Sequence, residues 1–178
     1  VRNNVLGATT HIEYTRQTMR PKPEGMTILE GLTSHGLNTL DFMLNDSQEL
    51  HLLSVDYHLP DGTSTELNLA TGAVIRYAMA EGAKAEEYAR VNVSWSAEKE
   101  IRELAVQGEI GGATIDFGQH QIFILNGESQ ATNATHGPLE TQILDALSRT
   151  ETTAETHLEL MSTVQLLENI STWPTQQN

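Results

Sequence analysis

A change of period divides this chain and limits what it can become. From residue 11 to residue 125 apolar and polar residues alternate in short runs, the period-2 mark of half-buried strands; after Pro138 the spacing turns helical. Strands first and helices last imply an α+β, β-dominated domain, antiparallel because its connections are short. We expect a meander, or a partly closed barrel or sandwich, of about seven to nine strands. Two C-terminal helices follow. Residues 1–127 would form the antiparallel β-domain. Residues 128–178 would form a polar linker, a helical pair and a tail, packed on the same domain or on a dimer partner.

The most regular stretch is Leu50–Leu69, which reads as one β-hairpin. Leu53, Val55, Tyr57 and Leu59 alternate with Ser54, Asp56 and His58, and Leu67 and Leu69 with Glu66 and Asn68. Pro60-Asp61-Gly62 supplies the turn: Pro60 presets φ, Asp61 caps locally, and Gly62 accepts a left-handed backbone. A three-residue loop pairs Val55 with Leu67 and Leu53 with Leu69, keeping the apolar residues on one face. Leu40, Phe42 and Leu44 extend the pattern through the connection Asn45–Gln48, giving a three-strand meander.

Further strands are expected at His11–Thr18, Met26–Leu32, Ala73–Met79 and Ala89–Trp95, with a hairpin from Ile115–Phe117 to Gln121–Leu125. Ala97–Val106 fits a helix capped by Ser96 or, from Arg102 onward, a strand; the strand is preferred. Ser34-His35-Gly36 reads as a break, and Asn126-Gly127 as the end of the β region. Pro138 opens a helix with the stripe Leu139, Ile143, Ala146 and Leu147. A capping box at Thr152–Glu155 opens another, with Leu158, Met161, Val164, Leu167 and Ile170.

The net charge of −14 speaks against a nucleic-acid surface, and no run is long enough to cross a bilayer. Cysteine is absent, which removes disulfides, thiolate metal sites and cysteine catalysis. The compartment stays open, cytoplasmic or exported after loss of a signal peptide, since the sequence begins Val1-Arg2 without a Met. Arg16, Arg20 and Lys22 form a basic cluster, read as solvated decoration or as a dock for an acidic partner. The stripes within Leu139–Ile170 suggest a homodimer or a protein partner, with an apolar ligand between sheet and helices as the other option.

Named catalytic motifs are missing: no phosphate loop, no dinucleotide fingerprint, no nucleophile elbow. In the chosen register Asp56, His58 and Glu66 share the polar face of the hairpin, with Asp56 opposite Glu66. Like charges facing each other call for an offset such as a divalent cation, so these three are the candidate metal ligands. The expectation is therefore a non-enzymatic binding or protein-interaction module with no cofactor. The alternative is a metal-assisted hydrolase or lyase using Asp56, His58 and Glu66.

Overall fold

The computed structural model describes residues 6–44, 49–60, 66–79, 85–119, 121–125, 129–133 and 170, with side chains through residue 119 apart from Phe42. The chain opens with strand β1 (Thr9–Gln17), then passes through a π turn (Leu29–Thr33) into helix α1 (Ser34–Met43). Seven strands follow: β2 (His51–His58), β3 (Gly72–Ala78), β4 (Ala89–Ser94), β5 (Ile101–Gly108), β6 (Gly112–Asp116), β7 (Gln121–Leu125) and β8 (Ser129–Asn133). They form one sheet in the order β2-β3-β4-β1-β5-β6-β7-β8.

The sheet is mixed, which corrects the expected antiparallel meander. β1 runs parallel to β4, with Tyr14 beside Val91, and antiparallel to β5, with Tyr14 beside Leu104. Short connections fix the direction only of strands that follow each other. β1 lies at the sheet centre beside strands made much later, and the long excursion through α1, β2 and β3 supplies the crossover a parallel pair needs.

α1 covers one face. Ile12 and Tyr14 from β1, Ala73, Ile75 and Tyr77 from β3, Ala89, Val91 and Val93 from β4, and Leu104 and Val106 from β5 lie buried beneath it. Ile28, Leu32, Leu37 and Leu40 close the core from the helix side, each no more than 1% exposed. This segment corrects the strands expected at Met26–Leu32 and Leu40–Leu44. Four fully buried aliphatic side chains, at about 1.5–3 kcal/mol each, outweigh an alternation covering only three residues. A local signal agrees. The Glu30 carboxylate accepts the Thr27 N–H at 3.0 Å, and Thr27 Oγ1 accepts the Glu30 N–H at 3.3 Å, so Thr27–Glu30 is a capping box.

The Leu50–Leu69 hairpin is also corrected. β2 pairs with β3, setting Val55 beside Ile75 and Asp56 beside Val74, while Leu67–Leu69 forms a single 3-10 turn. The partner strand is the more apolar Gly72–Ala78, and alternation in the nearer segment was a weaker claim on that edge. β8 continues the sheet past residue 127, where the β region was expected to end. The expected C-terminal helical pair lies outside the described residues, except for Ile170, which is helical and buried in the core. Among the described residues no helix is long and apolar enough to cross a membrane.

Candidate functional site

Two parallel neighbours, β1 and β4, end at the same edge of the sheet, and the chain leaves them in different directions. After β1 it turns toward α1, and after β4 it crosses over the end of β1 to reach β5. The crossing is written in hydrogen bonds. Trp95 still donates its N–H to Thr71 on the β3 side at 2.7 Å, whereas Ser96 and Ala97 donate theirs to Arg20 and Thr18 at 3.0 and 2.9 Å. Ser96 makes the bend at φ +55°, the left-handed conformation that a side chain seldom adopts. Crevices at such divergent strand ends are where open sheets hold ligands.

Here the crevice is a cleft of about 390 Å³ whose lining includes Arg16, Arg20, Trp95, Glu100, Arg102 and Phe117. Arg16 follows Tyr14 by two residues and Arg102 precedes Leu104 by two, so both stand on the helix-covered face, directly opposite each other across the β1–β5 ladder. Arg102 lies over the Phe117 ring, 5.5 Å from its centroid. Neither guanidinium makes a hydrogen bond or ion pair with a described residue. The Trp95 indole nitrogen is buried and has no partner among the described residues.

Two acids on the cleft lining, Glu100 and Asp116, are already engaged. Glu100 accepts hydrogen bonds from the Met19 N–H at 2.9 Å and the Thr18 hydroxyl at 2.8 Å. These bonds, with Arg20 and Arg16 nearby, hold its carboxyl below the usual range. Asp116 Oδ1 accepts the N–H groups of Gly118 and Gln119 at 2.8 and 2.9 Å.

Above the arginines, α1 brings His35. Burial first, and then the positive charges of Arg16 and Arg102, hold its imidazole below the ordinary histidine range. The helix can sit this low because two glycines face the sheet. A Cβ on Gly31 would lie 2.7 Å from Trp95, and one on Gly36 would lie 2.6 Å from Val91 and 2.8 Å from Tyr14. The π turn allows both: its wider coil lets the Ser34 N–H reach Leu29 O, so residues five apart share a face.

The expected metal ligands are not assembled in this way. Asp56 and His58 both project from β2 to the opposite face of the sheet, and Asp56 pairs with Arg76. Glu66 lies outside the strand, next to the 3-10 turn, and no longer faces Asp56. Among the described residues no three His, Asp or Glu side chains are grouped to hold a metal. Of the basic cluster, Arg16 and Arg20 line the cleft, and Lys22 bonds to the carbonyl of Asn68. Arg102 and Trp95 escaped sequence reading because only strand pairing and the loop crossing bring them to Arg16. His35 was hidden in a segment read as a break; the Thr27–Glu30 capping box was the signal that would have put it on a helix.

No family model matches the chain. No curated protein matches it. Solved structures do share its fold. KijD10, a 3-ketoreductase from Actinomadura kijaniata in complex with TDP-benzene and NADP, matches 96% of this chain and 54% of its own at a TM-score of 0.71 and 12% identity. The dehydrogenase MviM from Clostridium difficile matches 94% of this chain and 55% of its own at 0.70 and 10% identity. UDP-N-acetylglucosamine 3-dehydrogenase GnnA from Acidithiobacillus ferrooxidans matches 95% and 56% at 0.61 and 17% identity. The chain thus spans about half the length of these proteins. What the chain shares with them is the fold. The three are a ketoreductase and two dehydrogenases, and the KijD10 structure carries NADP, which overturns the expectation of a non-enzymatic binding module without a cofactor.

Proposed function

We propose that this chain forms the substrate-binding and proton-transfer half of a nicotinamide-dependent oxidoreductase acting on a sugar hydroxyl or ketone. The observation that carries the reading is His35 on α1, partly exposed and close enough to the cleft arginines Arg16 and Arg102 to feel their charges, in a fold shared with a 3-ketoreductase and a sugar-nucleotide 3-dehydrogenase.

The described residues do not themselves fit a dinucleotide. Only one of the seven strand ladders is parallel, and the helix starts from the Thr27 capping box rather than from a glycine-rich turn after a strand. The cofactor is therefore held outside these residues, and what it supplies is hydride exchange with the substrate carbon.

The part of this chain is proton management and positioning. With its affinity for protons lowered, the His35 imidazole is neutral near pH 7 and can accept the proton of a hydroxyl becoming a ketone, or return it in the reverse direction. Such a group contributes about 10²–10⁴-fold to the rate.

The test is turnover of NADP(H) followed at 340 nm with UDP-N-acetylglucosamine or its 3-keto form, using protein purified from its native source. His35→Gln should lower kcat at least 100-fold while leaving the melting temperature in place. No nicotinamide turnover in that preparation, or full activity in His35→Gln, would overturn the reading.

A further inference from the structure

We infer that Arg16 and Arg102 form a clamp for an oxyanion carried by the ligand, a phosphate or a carboxylate on the substrate sugar. This rests on the proposed function for the sugar, but the binding itself does not depend on it.

Two observations independent of any likeness lead there. The first is the pairing. Like charges directly opposite each other on a ladder repel, and a sheet normally avoids or offsets them. Arg16 and Arg102 are direct partners between β1 and β5, and no described acid is paired with either. Glu100 is the described carboxylate that feels Arg16, and it is committed to Thr18 and Met19.

The second is the contrast with the other face of the same sheet. There each arginine is matched: Arg76 bridges Asp56 and Glu87, and Arg90 bridges Glu87 at 2.7 Å and Glu13 at 4.0 Å. In a chain with 24 acidic and 10 basic residues, two cleft arginines with no acid partner among the described residues stand out. Two planar guanidiniums facing one gap suit a bidentate oxyanion. Arg102 is steadied in place by Phe117, Arg20 adds a third positive charge on the same lining, and Trp95, also on the lining, has an indole N–H without a partner among the described residues.

The full chain is titrated calorimetrically with inorganic pyrophosphate, UDP and glucuronate, without nicotinamide. Saturable binding of pyrophosphate and UDP, weakened about 10- to 100-fold by either Arg16→Gln or Arg102→Gln and unchanged by Arg76→Gln, supports the clamp with phosphate as its anion. The same pattern with glucuronate alone supports it with carboxylate. Binding of none of the three, or binding indifferent to both cleft substitutions, overturns it. Should either variant fail to fold, the His35 ring resonance of the unaltered chain decides. Its pKa must rise when the anion is added, and an unmoved pKa overturns the clamp. Since no turnover is read, anion binding can fail while NADP(H) activity stands, and the reverse.

Discussion

The height at which α1 rides on the sheet is set by Gly36, and adding one methyl there is the sharpest test of the packing. A Cβ at this position would fall 2.6 Å from a Val91 methyl and 2.8 Å from the Tyr14 ring, both fully buried side chains. Neither neighbour has room to retreat, so the helix must lift or the side chains must leave their preferred rotamers. Overpacking of this kind costs about 1–3 kcal/mol. Two contacts under 3 Å put Gly36→Ala in the upper part of that range, about 2–3 kcal/mol, and alanine returns up to about 1 kcal/mol through its better helix propensity, which leaves a net loss of about 1–2 kcal/mol. At this chain length that is about 2–8 °C of melting temperature. Urea denaturation should show a lower midpoint with an unchanged slope. Trimming the obstacle should restore part of the loss, so Gly36→Ala with Val91→Ala should be more stable than the sum of the two single changes. A Gly36→Ala midpoint equal to or above that of the unaltered chain would refute the close approach and with it the placement of His35.

Other outcomes follow from the same contacts. Tyr77 carries a buried hydroxyl with no partner among the described residues, and burial holds its phenol well above the usual range; Tyr77→Phe should leave the melting temperature unchanged or raise it. His35 should titrate below 6.5 by NMR, and its pKa should rise in Arg16→Gln or Arg102→Gln, because each change removes a repelling charge. The sign for stability is fixed: the unfolded imidazole takes its proton first, so this site costs stability as pH falls below about 6.5, and His35→Gln should flatten that limb of the pH profile. Glu30 is held low by its bonds to Thr27, so its contribution is full above the ordinary carboxylate pKa and disappears as pH falls through the lowered one; Glu30→Gln should shrink the acid dependence of the melting temperature. The Asp56–Arg76 pair is solvent-exposed on its acidic side, and Asp56→Ala should cost less than about 1 kcal/mol, fading further in high salt.

Much of the sheet could be read from the sequence because its strands obey local rules. Ala73, Ile75 and Tyr77, and likewise Ala89, Val91 and Val93, alternate as expected and are buried as expected. Two kinds of information were missing. Direction and neighbour relations in a sheet are non-local, and nothing around Tyr14 announces that Val91 and Leu104 will flank it. Short apolar runs are also ambiguous in period. Leu40, Phe42 and Leu44 alternate well, but Ile28, Leu32, Leu37 and Leu40 recur along a helix face once the π turn adds its extra residue. The candidate site inherits both difficulties. Arg16 was visible as part of a basic cluster, whereas its counterpart Arg102 becomes relevant only through the β1–β5 ladder. Asp56 and His58 drew attention because they are close in sequence, and strand pairing sends them to the face away from the cleft.

The central position of β1 also bears on how this protein is made. Without it the sheet is two separate antiparallel blocks, β2-β3-β4 and β5-β6-β7-β8, which no described ladder joins directly. Each block can form from near neighbours in the chain. Of these eight strands the first to be synthesised is thus the last that can find its place, since β4 and β5 must both exist before β1 has two edges to join. Thr18 meets Glu100 across 82 residues, and closing a loop of that size costs about 4 kcal/mol in chain entropy before any contact rewards it. Folding should therefore be slow in its final step and leave the edges of β4 and β5 bare until then. A variant lacking β1 would keep both blocks and lose the strand that joins them among the described residues, so aggregation through those two edges is the failure to expect from it.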